Sequence, residues 1–246
     1  LAGLMLDLCN HGILMVGMQL YRRGASLGQT MAFLIASPWN SLSLTIILVA
    51  LIGWKWTLIF ILLSAIIALT SGMLFEIAVK RKLLPANQNT IELPEDFHFL
   101  AEARKSFSQW RPSATNIVRI LKDGLIESRM ILRWIFFGIV LVGLIRVLIP
   151  ETFYQAWFGP SIMGLGLTLL ATTVLEVCSE GSSPIAADLV NRANAPGNGF
   201  TFLMAGAATD YTEIMALKET THSWKISLAL PLITVPQILL VGYLLN

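Results

Sequence analysis

The residues with the most chemical potential lie in two copies of one short string, 169 positions apart. The first copy is Asp7-Leu8-Cys9-Asn10-His11-Gly12, and the second is Glu176-Val177-Cys178-Ser179-Glu180-Gly181. Each copy holds an acid, one of the chain's two cysteines and a glycine at the same positions. Thiolate and imidazole groups bind soft or borderline metal ions, and trivalent arsenic shares the preference for thiols. The strings therefore predict one composite site, to which each copy contributes a cysteine.

Four side chains would cluster if the two copies faced each other across an axis of pseudo-symmetry: Cys9, His11, Cys178 and Glu180. We expect them to bind substrate, and they could hold a metal ion as substrate. Neither copy has the close ligand pairs of a structural zinc site. Two cysteines permit one disulfide or two free thiols, and burial in a membrane favours free thiols.

The composition excludes an ordinary soluble domain. Hydrophobic residues form 55% of the chain and charged residues 13%, and the mean hydropathy is +0.71. Six apolar stretches approach the roughly 20 residues that a crossing helix needs: 29–53, 56–79, 131–149, 161–177, 197–217 and 226–245. A seventh crossing is predicted to run through Cys9 and end near Tyr21. The sequence predicts an all-α polytopic protein of a prokaryotic cytoplasmic membrane, in contact with the lipid bilayer.

The same offset aligns further pairs, including Arg23 with Arg192 and Gly28 with Gly197. We therefore predict two structural repeats, each with a pair of broken transmembrane helices that meet at a central site. The first repeat covers residues 1–79, a cytoplasmic linker with an amphipathic helix covers 80–129, and the second repeat covers 130–246. The first motif follows Leu1 so closely that repeat arithmetic predicts about 40 to 50 further residues before it.

The basic residues set the expected orientation. Thirteen of the seventeen Lys and Arg are cytoplasmic if the Arg22-Arg23 turn, the Lys80-Arg81-Lys82 run, the polar stretch from Leu83 to Arg133 and the turn at Arg192 all lie inside. The repeats are then parallel, and they would be inverted if the helix at 113–129 crossed the membrane. We expect the parallel arrangement. The net charge of +2, without a basic cluster interleaved with aromatics, argues against nucleic-acid binding.

Helix interruptions are predicted to surround the site. The interruptions at Cys9-Asn10-His11-Gly12 and at Pro38 lie at matching depth, because Cys9 and Pro38 are each about 20 Å of helix from the turn at Arg22-Arg23-Gly24. The corresponding residues of the second repeat are Gly181, Pro184 and Gly206. Glycine weakens a helix, and proline removes a backbone donor. Backbone groups freed in this way must face protein or a water-filled cavity, so we expect Asn40, near Pro38, to contact substrate.

Acidic residues at membrane depth are costly and usually face a cavity or a proton path. Asp210 lies at a predicted interruption, and we expect it to couple transport to an ion, with Asp7 and Glu176 as further candidates. Asp7 and Glu176 could instead be structural carboxylates that accept hydrogen bonds from freed backbone amides. Asp188 and Glu213 fall at a similar predicted depth without an assigned role.

The stretch from Leu20 to Gly28, followed by that from Ala32 to Pro38, closely resembles the signature of the YraQ-like and ArsP-like permeases. The segment from Cys178 through Asp210 resembles the family's other repeat. The resemblance implies a polytopic permease, and some members export trivalent organoarsenicals through cysteine-lined sites. His11 replaces the second thiol of the family's Cys-Ser-Cys-Gly motif, and Ala207 replaces a proline. The resemblance therefore supports the permease assignment more strongly than an organoarsenical substrate.

Together these features predict a secondary efflux transporter of a soft metal, metalloid or related small solute. No enzyme activity and no cofactor are expected, and the chain contains no phosphate-binding loop for ATP hydrolysis. One alternative is a transporter of a sulfur-containing anion such as thiosulfate, held at half-helix N-termini. Two others belong to different classes: a membrane thiol oxidoreductase that uses Cys9 and Cys178, and a non-transporting subunit of a membrane complex. A homo-oligomer is also open.

Overall fold

The computed structural model of the chain is helical throughout most of the residues it describes. These are residues 10–36, 42–90, 150–175 and 179–246, with seven further helical positions between 136 and 148. The helices with stated bounds are α1 (Asn10–Arg22), α2 (Leu27–Ala36), α3 (Leu42–Lys80), α4 (Glu151–Phe158), α5 (Ile162–Leu175), α6 (Ser179–Asn191), α7 (Pro196–Thr209), α8 (Tyr211–Thr221) and α9 (Trp224–Leu245). The predicted all-α class is confirmed, and most of the predicted linker lies outside the described residues.

Two of the described helices are long and apolar enough to cross a membrane. Their apolar spans run from Leu44 to Lys80 and from Trp224 to Leu245. At 1.5 Å per residue, α9 is about 33 Å long, close to the roughly 30 Å of a bilayer core. Both helices expose large apolar side chains, such as Leu62 at 56% and Leu232 at 75%, and bury polar ones such as Ser71. Lipid is the natural solvent for this surface.

The boundaries of the shorter helices differ from those expected. Gly53 divides α3, because its φ of 81° and ψ of 161° are not helical and suit only glycine. The expected crossing at 197–217 is two helices, α7 and α8, separated at Asp210. Of the expected crossing at 161–177, α5 covers 14 residues, or about 21 Å of helix, and residues 176 and 177 lie outside the described residues.

Glycine pairs bring neighbouring helices together at backbone distance. A Cβ atom added to Gly28 of α2 would lie 2.5 Å from the carbonyl oxygen of Gly72 in α3. A Cβ atom added to Gly197 of α7 would overlap the carbonyl group of Gly242 in α9. Small residues let membrane helices approach closely enough for extensive van der Waals contact. Each glycine pair therefore fixes one helix crossing.

One end of the molecule carries the α1–α2 turn and the end of α3. The Asn87 side chain, seven residues past the end of α3, donates to the carbonyl oxygens of Tyr21 at 2.6 Å and Ala25 at 2.8 Å. A cavity of about 430 Å³ beside Lys82 is also lined by Ser223 and Lys225 at the start of α9. We call this end the basic face, because its turns and helix ends hold Arg22, Arg23, Lys80, Arg81, Lys82, Lys218 and Lys225.

The α6–α7 turn lies at the other end, which we call the opposite face. Asn246, at the end of α9, accepts from the Gly197 amide at 2.8 Å and donates to Asn198 Oδ1 at 2.8 Å. The Asn191 side chain donates to the Leu51 carbonyl oxygen at 2.9 Å. Leu51 lies just before Gly53, separated from the Lys80 end of α3 by about 40 Å of helix.

The parallel arrangement of the two repeats stays a prediction, and these helix-end contacts argue against it. The α1–α2 turn and the α6–α7 turn lie on opposite faces, whereas parallel repeats would place them on the same face. The physical reason is that Arg192 is a single charge and carries little weight in orientation. Its guanidinium lies 3.8 Å from the carboxylate of Asp188 and 4.9 Å from the centre of the Tyr154 ring.

Candidate functional site

Six of the predicted substrate-binding, ion-coupling and helix-break residues lie outside the residues that the structure describes. They are Asp7, Cys9, Pro38, Asn40, Glu176 and Cys178. His11 and Glu180 are the second residues of α1 and α6, two helices of 13 residues each. Both motif strings thus continue into the N-terminal turn of a short helix. Among the described residues, no group of three or more His, Cys, Asp or Glu could hold a metal ion.

The glycines and the proline expected to break helices lie inside them. Gly12 is in α1, Gly181 and Pro184 are in α6, and Gly206 is in α7. Pro184 falls in the second turn of α6, where it removes one backbone hydrogen bond without ending the helix. The interruption between α7 and α8 falls at Asp210, four residues beyond Gly206.

Asp210 is the N-cap of α8. Its φ of −59° and ψ of 125° end α7, and its side chain accepts a hydrogen bond from the Thr212 amide at 2.7 Å. Aspartate is among the best N-cap residues, because its oxygen satisfies an amide that the helix leaves open. The negative charge also interacts favourably with the positive end of the helix dipole. The sequence therefore builds the interruption and stabilises the next helix with one residue.

Glu213 lies three residues after Asp210 in the first turn of α8. Its side chain is buried, at 5% exposure. A charged carboxylate is rarely buried to this degree unless it is paired or carries out a function. Asp210 and Glu213 thus place two acids at the start of one helix. The sequence signal for Glu213 was present, since acids at membrane depth are rare, but it did not distinguish Glu213 from Asp188.

Threonine hydroxyls join the end of α5 to the interruption at Asp210. Thr173 Oγ1 lies 3.1 Å from Thr209 Oγ1 and 2.9 Å from the Leu169 carbonyl oxygen. The Thr172 hydroxyl donates to the Phe202 carbonyl oxygen at 2.8 Å. Thr173 precedes Glu176 by three residues, and Thr209 directly precedes Asp210. The helix that leads into the second motif string therefore ends beside the α7–α8 interruption.

Helices near the site also join the N-terminal part of the chain, α1 to α3, to the C-terminal part, α4 to α9. α8, which Asp210 caps, packs against α1, the helix that follows the first motif string. In the same way, α6 packs against α3. Elements that carry the two motif strings are consequently in contact with the other part of the molecule.

Sequence reasoning missed the amides that hold the helices together. Gln237 of α9 donates to Ser71 Oγ of α3 at 2.9 Å and accepts from Thr70 Oγ1 at 2.5 Å. The fully buried Asn198 donates to the carbonyl oxygens of Phe158 at 2.7 Å and Gly159 at 3.1 Å. An amide in an apolar stretch was the available signal, because polar side chains in membrane helices usually bond to a neighbouring helix.

A known protein family matches the chain along its length. The ArsP_1 family model, described as a predicted permease, matches residues 1–246. The chain belongs to this permease family. The expected resemblance is thereby confirmed, and the apolar helices of the permease imply a bilayer and a solute to be moved across it.

A relative of this permease is Rv2963 of Mycobacterium tuberculosis, a protein named as a permease by prediction. It is 27% identical over 214 residues, which are 80% of this chain and 52% of the relative. The chain thus spans about half the length of that relative. No solved structure matches the permease significantly.

Proposed function

We propose that this permease is a secondary efflux transporter of a soft metal, metalloid or related small solute in a prokaryotic cytoplasmic membrane. The observation that carries the proposal is the contact between Thr173 and Thr209. It places the end of α5, which leads into the string with Cys178, beside the helix interruption at Asp210. A thiol-bearing segment and an acid at a helix break are the parts that a coupled transporter of a thiol-seeking solute needs.

The proposed site is shared between two structural repeats. Arg22, the end of α1, precedes Asn191, the end of α6, by 169 positions. Leu27, the start of α2, precedes Pro196, the start of α7, by the same 169 positions. This agreement of helix bounds with the sequence offset supports an internal duplication.

Two backbone features support the same duplication. Gly53 has a φ of 81°, and His222, 169 positions later, has a φ of 52°. The close glycine pair of Gly28 with Gly72 corresponds to that of Gly197 with Gly242, at offsets of 169 and 170. Repeats that share a kink and a helix crossing are built from one ancestral unit, which is a common plan for secondary transporters.

Within this site, Cys9 and Cys178 contact the solute, and His11, Glu180 and Asn40 assist. Asp210 and Glu213 hold the coupling proton at the start of α8, with Asp7 and Glu176 nearer the two cysteines in the sequence. Glu213 is included because its burial makes a permanent charge costly, so it favours exchange with a proton.

Uptake into proteoliposomes tests the thiol site. Arsenite, methylarsenite, zinc and thiosulfate are offered separately to the permease and to the Cys9→Ser/Cys178→Ser variant. We expect at least a tenfold loss of transport of a thiol-seeking solute in the variant. Met15→Leu is the matched control, because it removes a sulfur atom from a side chain that is 71% exposed. Unchanged transport in the double serine variant contradicts the thiol site.

A sulfur-containing anion is the second candidate substrate. The observation that favours it is that the first described turn of α1, from Asn10, contains no acid. The open amides and the dipole at a helix N-terminus favour anions. Transport of thiosulfate, with none of arsenite or zinc, in the same assay supports this candidate over the first.

A further inference from the structure

Each half of the permease joins its helical turn to the end of its long helix. In the first half, residues 10–90, Asn87 ties the α1–α2 turn to the end of α3 through the carbonyl oxygens of Tyr21 and Ala25. In the second half, residues 150–246, Asn246 ties the α6–α7 turn to the end of α9 through Gly197 and Asn198. The two contacts correspond, but the first lies on the basic face and the second on the opposite face.

The two faces differ in how the halves meet. On the opposite face the halves are joined, because the Asn191 side chain of α6 donates to the Leu51 carbonyl oxygen of α3 at 2.9 Å. On the basic face a cavity of about 430 Å³ opens between Lys82 and neighbouring residues of the first half and Ser223 and Lys225 of the second. Among the described residues, a side-chain hydrogen bond therefore joins α6 to α3 at the opposite face, and an open groove separates the end of α3 from the start of α9 at the basic face.

The carbonyl group that Asn191 contacts is available because of Gly53. The non-helical backbone at Gly53 interrupts the regular hydrogen bonds of the carbonyl groups just before it. The corresponding place in the second half is Thr220, two residues before His222. His222 has a left-handed φ of 52° and ends α8, so carbonyl groups of its last turn are also left without helical donors. The residue that corresponds to Asn191 is Arg22 at the end of α1.

We propose that the two halves are inverted copies and that Asn191 closes the opposite face. In the alternate state, the Asn191 contact opens and Arg22 closes the basic face by donating to the Thr220 carbonyl oxygen. The exchange carries the central site from one face to the other, and this inference rests on the proposed transport function. Asn191 acts by positioning α6 against α3 and does not touch the solute.

Labelling from the two sides of the membrane tests the inversion without any substrate. Ser26 and Ser161 are matched positions, because each serine hydroxyl caps a helix start, accepting from Gln29 N at 3.2 Å and Gly164 N at 3.0 Å. Single Ser26→Cys and Ser161→Cys variants are made in a full chain that carries Cys9→Ser/Cys178→Ser. We expect a membrane-impermeant maleimide to label residue 161 in intact cells and residue 26 only in inside-out vesicles. Labelling of both from one side overturns the inversion.

Cross-linking tests the exchange. An Arg22→Cys/Thr220→Cys pair is cross-linked with a short bismaleimide in the same serine background, with Asn191 intact or changed to Ala. Losing one exposed hydrogen bond should raise the rate of 22–220 cross-linking about threefold. Gln155→Ala is the matched control, since Gln155 donates to the Arg192 carbonyl oxygen at 3.0 Å in the same turn but within the second half. An equal rate in both variants, or no cross-link at all, overturns the assignment of Asn191.

The two tests separate this inference from the proposed function. If the two cysteines are labelled from opposite sides but no transport is detected, the inverted architecture is supported and the transport function is contradicted. If transport is detected but both cysteines are labelled from one side, the transport function is supported and the inversion is contradicted.

Discussion

At the scale of single residues, the two acids at the start of α8 differ in their roles: Asp210 caps the helix, and Glu213 is the proposed proton carrier. Asp210 serves the helix directly, because its side chain accepts from the Thr212 amide. Glu213 does not cap the helix, yet its side chain is almost entirely buried. A residue that is costly to bury and unnecessary for capping is the better candidate for carrying a proton.

Glu213→Gln should separate proton coupling from solute binding. The amide keeps the volume of the side chain but cannot exchange a proton, so we expect proton-driven uptake to fall at least tenfold while solute exchange continues. Both rates are measured in proteoliposomes, with and without a pH gradient. Glu219→Gln is the control, because Glu219 lies on the same helix and is exposed. Equal loss of both rates in Glu213→Gln would contradict a coupling role.

Asp210→Ala should destabilise the protein through the loss of the α8 cap. The expected cost is about 1 kcal/mol, the usual value for an N-cap aspartate. Asp210→Asn retains an oxygen for the Thr212 amide and should lose much less. Thermal unfolding of the detergent-solubilised protein gives the comparison, and equal melting temperatures for the alanine and asparagine variants would show that the cap contributes nothing.

At the scale of helices, the glycine crossings hold each half together. Where α7 meets α9, the backbones of Gly197 and Gly242 approach more closely than any Cβ atom would allow. Packing of this kind depends on van der Waals contact, since lipid provides no hydrophobic drive between membrane helices. Replacing one glycine should therefore weaken the van der Waals packing along the whole helix crossing.

Gly242→Ala should destabilise the permease by about 1 to 3 kcal/mol, the usual effect of overpacking. The added methyl carbon would lie 2.9 Å from Leu165 Cδ1 and 3.1 Å from the Gly197 carbonyl oxygen. Gly166→Ala is the control, because nothing lies within 4 Å of its added carbon, and there alanine should favour the helix. The measurement is thermal unfolding in detergent. Stabilisation by both substitutions would show that the crossing tolerates a side chain.

Sequence patterns predicted individual elements better than their arrangement. Apolar stretches indicated membrane helices, and Gly24 marked the α1–α2 turn, where its φ is 99°. The expected stretches 29–53 and 56–79 divided the chain beside Gly53, but they did not predict that α3 would continue on both sides of it. The sequence also did not predict which helix ends lie on the same face. That depends on long-range contacts such as the one between Asn87 and Tyr21, which are 66 residues apart in the chain. The motif cysteines were found from spacing alone, and their geometry stays a prediction.

At the scale of the whole molecule, the contacts between helix ends give a more consistent charge distribution than the expected topology did. Seven of the nine Lys and Arg among the described residues lie on the basic face, and only Lys55 and Arg192 lie on the opposite face. Cytoplasmic ends of membrane proteins carry an excess of Lys and Arg, so this distribution predicts that the basic face is cytoplasmic. The proposed inversion of the halves therefore agrees with the orientation rule that first suggested parallel repeats.

Fixing the opposite face in its closed form should stop transport of any solute. A Leu51→Cys/Asn191→Cys pair replaces the hydrogen bond between α3 and α6 with a disulfide, formed by mild oxidation in proteoliposomes. We expect transport to fall at least tenfold and to return on reduction, because a site open only to the basic face cannot release its solute on the other side. The single variants Leu51→Cys and Asn191→Cys control for oxidation of the native thiols. Full transport by the oxidised pair would mean that α3 and α6 stay together throughout the cycle, and the halves would then have to exchange at another interface.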